Sequence, residues 1–187
     1  MTRDDALEFV RSMVGNENLV KHMLTVEAAV RAYAGDYGGD PGTWALAGLL
    51  HDSDWEAHPD EHPKVALKLL AERGDVPEEV LHAIAAHAPE RTGVEPSTDL
   101  DKVLFACDEL CGFINACALV RPQRLEALTP KSVEKRLKSP AFAAGVNRGD
   151  VNRGFELLGV ERADHINHVI ASMQAIAPEL GLEPIEG

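Results

Sequence analysis

The residues best suited to chemistry are histidines and aspartates set at the ends of, or inside, apolar stretches: His22, His51, Asp52, His62, His87 and Asp108. The sharpest is the pair His51-Asp52, which ends the apolar run Leu46-Ala47-Gly48-Leu49-Leu50. A buried imidazole beside a carboxylate is costly unless something coordinates or pairs it. Together the two suit a borderline divalent cation such as zinc, manganese, iron or nickel. A His-Asp pair at a helix end also serves as a plain solvated cap, so its weight comes from its company. Asp108 follows Val103-Leu104-Phe105-Ala106-Cys107, where a carboxylate must be paired, hydrogen-bonded or coordinated to stay ionised. A lone aspartate there reads as a satisfied structural group; five further donors at the ends of other apolar segments change that reading. His58, His82, His165 and His168 lie outside the set and are assigned surface or structural roles.

The elements that must position these groups are helices. Thr2 caps a first helix in which Ala6, Phe9, Val10 and Met13 recur at three- and four-residue spacing, and Gly15 closes it. A second, from about 18 to 34, carries His22. The glycine-rich stretch from Gly35 to Gly42 is a loop, after which Pro41 and Thr43 open the helix that ends at His51-Asp52. Pro63 marks the first position of a helix that Gly74 stops. Pro77-Glu78-Glu79 opens another that reaches His87, with Pro89 ending it and a loop from Arg91 to Thr98 following. The longest apolar helix runs from about 100 to 120, carries Asp108 and is predicted to be the central core helix. Short helices follow: one from Thr129-Pro130 to Leu137, one at Ser139-Pro140, then 150–158 and 162–180. Strand-like alternation is absent, which predicts an all-α fold. With no repeat and no long linker, residues 1–187 read as one domain, a core of about 18–120 with the C-terminal helices of about 129–180 packed on it.

Composition narrows the function classes. The chain has 187 residues, 45% hydrophobic, and a net charge of −13. A long phosphate backbone would meet general repulsion, so nucleic-acid binding is not expected. No apolar run reaches the roughly 18 residues of a membrane span, and the N-terminus carries no signal-peptide pattern, so the expected location is cytoplasmic. Basic residues gather in one island, Arg121, Arg124, Lys131, Lys135, Arg136 and Lys138 against Glu126 and Glu134. Such an island suits a small anionic ligand, or is simply a solvated face. Cys107, Cys111 and Cys117 form neither a disulfide framework nor a zinc motif and read as reduced core residues.

The order H…HD…H…H…D resembles the HD-domain metal-dependent phosphohydrolases. The residues that carry the resemblance are His22 in Lys21-His22-Met23-Leu24, His51-Asp52 after Leu49-Leu50, His62 in Glu61-His62-Pro63-Lys64, His87 after Ala85-Ala86, and Asp108. More loosely, Cys107-Asp108-Glu109-Leu110, Lys131-Ser132-Val133 and Ala144-Gly145-Val146-Asn147-Arg148 look like HDIG-type proteins of about this length. The resemblance implies an HD-domain helical bundle. In it His22, His51, Asp52 and Asp108 would hold one cation, and Asp52 would bridge to a second held by His62 and His87. The cofactor implied is one or two ions of manganese, iron, nickel, cobalt or zinc.

Two departures bear on activity. Many relatives continue His-Asp as His-Asp-Ile-Gly-Lys, whereas here Ser53-Asp54-Trp55-Glu56 follows, and Ala88 stands where many have another histidine. Both count against cyclic-dinucleotide phosphodiesterase activity more than against metal binding. Beside Asp52, Asp54 and Glu56 are candidates to carry a proton, and equally to cap the loop. The activity implied is hydrolysis of a small phosphorylated substrate, such as a nucleotide, by a water that a cation pair activates. Arg121, Lys131, Lys135 and Arg148 are the candidates to hold the non-reacting oxygens. Two alternatives share the same donors: a di-iron oxygenase, and a nucleotide-sensing module without turnover.

Overall fold

Most of the helices begin where the sequence supplies a side-chain oxygen to accept from the N–H groups that a helix start leaves open, or a proline that lacks one. In the computed structural model, which describes residues 1–185, Thr2 and Asp5 form a capping box that opens α1 (Arg3–Met13). Asn16 caps α2 (Glu17–Tyr33), a short 3-10 turn (Ala34–Tyr37) follows, and Asp40 caps α3 (Pro41–Leu50). α4 (Lys64–Arg73) begins just after Pro63 and stops at Gly74, whose φ of 72° favours a residue without a Cβ. α5 (Glu78–Ala86) hands over to His87, and the single-turn α6 (Pro89–Thr92) occupies part of the predicted loop. A second capping box, Thr98 with Asp101, opens the 21-residue α7 (Asp99–Leu119). α8 (Pro130–Leu137), α9 (Arg148–Leu158), α10 (Arg162–Ala175) and α11 (Ala177–Leu180) complete the fold. The architecture is an all-α bundle, with no strand among the described residues.

Two predicted helices are corrected. The segment after Ser139-Pro140 forms turns, its carbonyls turned toward the Arg148 guanidinium instead of into a helical ladder. The predicted helix over 162–180 breaks at Ile176, because Pro178 has no N–H to offer the Gln174 carbonyl.

The centre is shared between α3 and α7. Every residue of α3 from Trp44 to Leu50 is buried, as expected of a helix that is apolar all round. α2 packs against α3 and α7, while α5 and α9 pack against α7 and α8 lies against α10. Two glycines set these distances. A Cβ on Gly48 would stand 2.7 Å from the backbone of Glu27, and one on Gly154 would stand 2.7 Å from Ala106 Cα. α3 therefore lies directly on α2, and α9 directly on α7. One continuous apolar cluster runs from Ala6 to Leu182 and takes in the three free cysteines. No helix among the described residues is long and apolar enough to cross a membrane.

Candidate metal centre

α3 runs out at Leu50, so the next two residues are delivered to the middle of the bundle. His51 donates its Nδ1–H to the Gly48 carbonyl at 2.8 Å. A carbonyl only accepts, so Nδ1 carries a proton, and whenever the ring is neutral the lone pair is on Nε2. That Nε2 is fully buried and has no hydrogen-bond partner. It lies 3.3 Å from Asp108 Oδ1, on α7, and 3.5 Å from Asp52 Oδ2. His22, from the middle of α2, brings its Nε2 to 2.9 Å from Asp108 Oδ1 and 3.7 Å from Asp52 Oδ2. Four residues from three parts of the chain thus present donors to one point.

The other oxygen of Asp52 faces a second group. Its Oδ1 lies 3.4 Å from His62 Nε2 and 3.7 Å from His87 Nε2, and those two nitrogens are 3.1 Å apart. His62 donates Nδ1–H to Asp54 Oδ1 at 2.7 Å, and His87 donates Nδ1–H to the Ile84 carbonyl. Both Nε2 atoms are therefore lone pairs turned toward each other in a buried place, an arrangement that repels unless a positive charge stands with them. The donor atoms form two sets, His22-His51-Asp52-Asp108 and Asp52-His62-His87, each within 4.8 Å, with Asp52 common to both. Mixed imidazole and carboxylate donors fit a borderline divalent cation in each set, and in the first the buried His51 nitrogen has no other partner.

Charge in the cluster is mutually supported. Burial pushes His51 toward its neutral form, but Asp52 and Asp108 outweigh it and hold its pKa well above the usual value. Burial likewise opposes ionisation of Asp52 and Asp108, and the imidazoles, His51 foremost, hold both well below the carboxylate range. The site thus demands positive charge, from protons or from metal, and metal entry must release protons.

A cavity of about 270 Å³ opens above these donors, walled by Trp55, Arg91, Phe105, Glu109, Asn147 and Asp150 among others. Burial, with Asp108 alongside, pushes Glu109 up to about 7. Burial, with Glu90 near, also raises Asp150.

The six residues singled out as ligands converge here; the other candidates do not. Asp54 is fully buried, away from the cavity, accepting from His62 and from the Ala66 N–H at 2.8 Å; these bonds outweigh the burial cost and keep its pKa low. Its carboxylate is taken up by the His62 ring and the Ala66 N–H, and it does not line the cavity. Glu56 caps the start of α2, accepting from the Gly15 and Asn16 N–H groups at 2.9 Å each. None of the four predicted phosphate-holding residues lines the cavity. Arg121 is spent on the Glu126 and Ala127 carbonyls, and Arg148 on those of Leu137, Ser139, Phe142, Ala143 and Val146. Lys131 and Lys135 are exposed on α8.

The cation that does line the cavity, Arg91, was missed because α6 reads as loop. Its guanidinium lies 5.2 Å from the centroid of Trp55 and donates to the Pro59 carbonyl at 2.6 Å. Trp55, 42% exposed, in turn meets His62 edge-on at 5.0 Å between centroids. The only signal available was an arginine four residues beyond His87. His58 and His82 stay at the surface, each beside an acidic group, and His165 and His168 stay in the packing around Tyr33.

A helical bundle whose interior gathers four imidazoles around two carboxylates is the architecture of the HD superfamily of metal-dependent phosphohydrolases. The family model described as HD domain matches residues 19–112, and the chain belongs to that family. Neither the curated proteins nor the solved structures yield a match.

Proposed function

We propose that the protein is a metal-dependent phosphohydrolase acting on a small phosphate ester. The observation that carries this reading is the division of Asp52, with Oδ2 toward His22 and His51 and Oδ1 toward His62 and His87. His22, His51, Asp52 and Asp108 would hold one divalent cation, and Asp52, His62 and His87 a second. Bound there, such a pair supplies water of lowered pKa at neutral pH and neutralises charge on a phosphoryl group.

The chain's own residues do the rest. The Gly48 and Ile84 carbonyls and the Asp54 carboxylate fix three imidazoles with their lone pairs inward, so no reorganisation is needed when charge develops. Arg91, braced on Trp55, offers a planar fork of donors to a non-reacting phosphate oxygen. The cavity, at about 270 Å³, lies just below the roughly 300–1,000 Å³ range of ligand clefts, which favours a compact substrate over a dinucleotide.

The test is release of inorganic phosphate from a panel of monoesters and diesters by protein loaded with manganese, iron, nickel, cobalt or zinc. Turnover dependent on metal and lost in Asp52→Ala supports the reading. No release from any ester overturns it, as does a mixed-valent di-iron signal coupled to dioxygen consumption, which belongs to an oxygenase.

A further inference from the structure

Among the described residues, Trp55 is the only aromatic side chain left exposed, and it stands against a metal donor, His62. It belongs to two hollows at once. One is the cavity of about 270 Å³ over the donors, the other a hollow of about 510 Å³ beside it, and His22 and Trp55 wall both. The second hollow thus continues the first across a metal donor and an indole. Its lining suits another part of a ligand than the phosphate. No lysine or arginine lines it, and its one carboxylate, Glu56, is engaged with the Gly15 and Asn16 N–H groups. Leu19, Pro59 and the indole give it apolar surface. The indole is also held in place: the Arg91 guanidinium lies over its ring, and it meets the His62 ring at 87° between planes. An indole fixed in this way and still exposed is a surface prepared for a second planar group, because aromatic rings gain from contact beyond the area they bury. The cavity over the donors is smaller than the clefts that enclose a whole ligand, so the organic part of an ester continues beyond it, and the neighbouring hollow shares two of its walls.

We propose that Trp55 selects the substrate, a phosphate monoester whose ester oxygen carries a planar aromatic ring, and that this ring lies on the indole in the second hollow while the phosphoryl group goes to the metal centre. The inference rests on the phosphoester reading and narrows it to aryl esters. The indole and the cation-free lining select together: a planar ring gains the aromatic contact, a saturated ring of the same size gains burial alone, and an anionic tail finds no cation to meet it. Trp55 touches the ester group and not the reacting phosphorus, so it determines specificity and takes no part in the chemical step.

The experiment is calorimetric binding of benzylphosphonate and cyclohexylmethylphosphonate to manganese-loaded protein. Both carry a methylene where the ester oxygen would be and resist hydrolysis, so binding is read apart from turnover. The wild-type protein should bind the aromatic ligand about three- to tenfold more tightly, the reach of one aromatic pair. Trp55→Leu, compared at equal metal content, should bring that ratio to about one, and Trp55→Phe should keep most of it. Loss of the Arg91 contact in Trp55→Leu weakens both ligands alike, so the ratio and not the affinity reports the ring contact. Equal binding by the wild type, or a preference that survives Trp55→Leu, overturns the proposal and leaves the phosphoester reading intact. Failure of both phosphonates to bind removes the two together. An aromatic preference with no phosphate released from phenyl phosphate leaves this inference standing and removes the hydrolase reading instead.

Discussion

His62 and His87 hold their Nε2 atoms 3.1 Å apart while giving their Nδ1 protons to Asp54 and to the Ile84 carbonyl. Two lone pairs so placed are a binding site for positive charge. Replacing His87 by Ala should therefore reduce a two-ion protein to about one ion per chain, the remaining ion sitting with His22, His51, Asp52 and Asp108. Asp52→Ala should take the content below one and abolish turnover, since that carboxylate serves both sets. His58→Ala, at the surface, should change neither. Elemental analysis after loading and desalting reads the result, and two ions retained in Asp52→Ala would show the assignment to be wrong.

Asp54 acts through His62. With Asp54→Asn the acceptor keeps its shape but loses its charge, and metal affinity at the His62/His87 position should fall about 10- to 100-fold. Glu56→Gln should leave metal affinity alone, because its carboxylate only caps the start of α2. Competition with a chromophoric chelator separates the two variants.

Gly48 and Gly112 predict opposite outcomes for one substitution. Gly48→Ala drives a Cβ to 2.7 Å from the Glu27 backbone and should cost about 1–3 kcal/mol by overpacking, with weaker metal binding as α2 and α3 part. Gly112→Ala meets no atom within 4 Å and should leave stability unchanged or raise it by about 0.5–1 kcal/mol, the helical preference of alanine. Urea unfolding of the metal-free forms measures both.

Arg148 is a clasp. Its guanidinium holds five carbonyls of the 137–146 segment and lies 5.3 Å from the Phe113 centroid. Arg148→Ala should destabilise by about 2–3 kcal/mol, in the range of lost charged hydrogen bonds. Arg148→Lys should recover little, because an ammonium cannot reproduce the planar fork. Denaturant midpoints decide, and a variant as stable as the parent would refute the clasp.

His165 links pH to stability. Its Nε2–H donates to the Ala106 carbonyl at 3.1 Å and its Nδ1 accepts from the Tyr33 hydroxyl at 2.7 Å, so the buried ring is neutral. Burial pushes its pKa down to about 4, below the unfolded value near 6.5. The unfolded chain therefore binds the extra proton first. The contribution is complete above about pH 6.5 and is lost as pH falls toward 4, amounting to about 3 kcal/mol. Stability curves of the wild type and His165→Gln should converge over that interval; parallel curves would exclude the assignment.

Much of this was legible along the chain because it is locally encoded. Thr2 and Thr129 cap the helices they precede, and Gly74 ends one. Caps, prolines and glycines act within a turn of themselves, so their effect can be read without tertiary context. His22, His51, Asp52, His62, His87 and Asp108 were legible for a related reason: a polar group in or at the end of an apolar helix has to be answered by something.

What faced the cavity was another matter. Arg121 to Lys138 looked like an anion site because its charges are neighbours in sequence, yet Arg121 is spent on main-chain carbonyls and Lys131 and Lys135 point to solvent from α8. Arg91, Glu109 and Asp150 share no local pattern, and meet only because α6, α7 and α9 come together. Burial marks a residue through its immediate neighbours, whereas the direction a charge faces depends on helices distant in the chain. For that reason the candidate metal donors could be named from their order, and the wall of the cavity beside them emerged only once the bundle had closed.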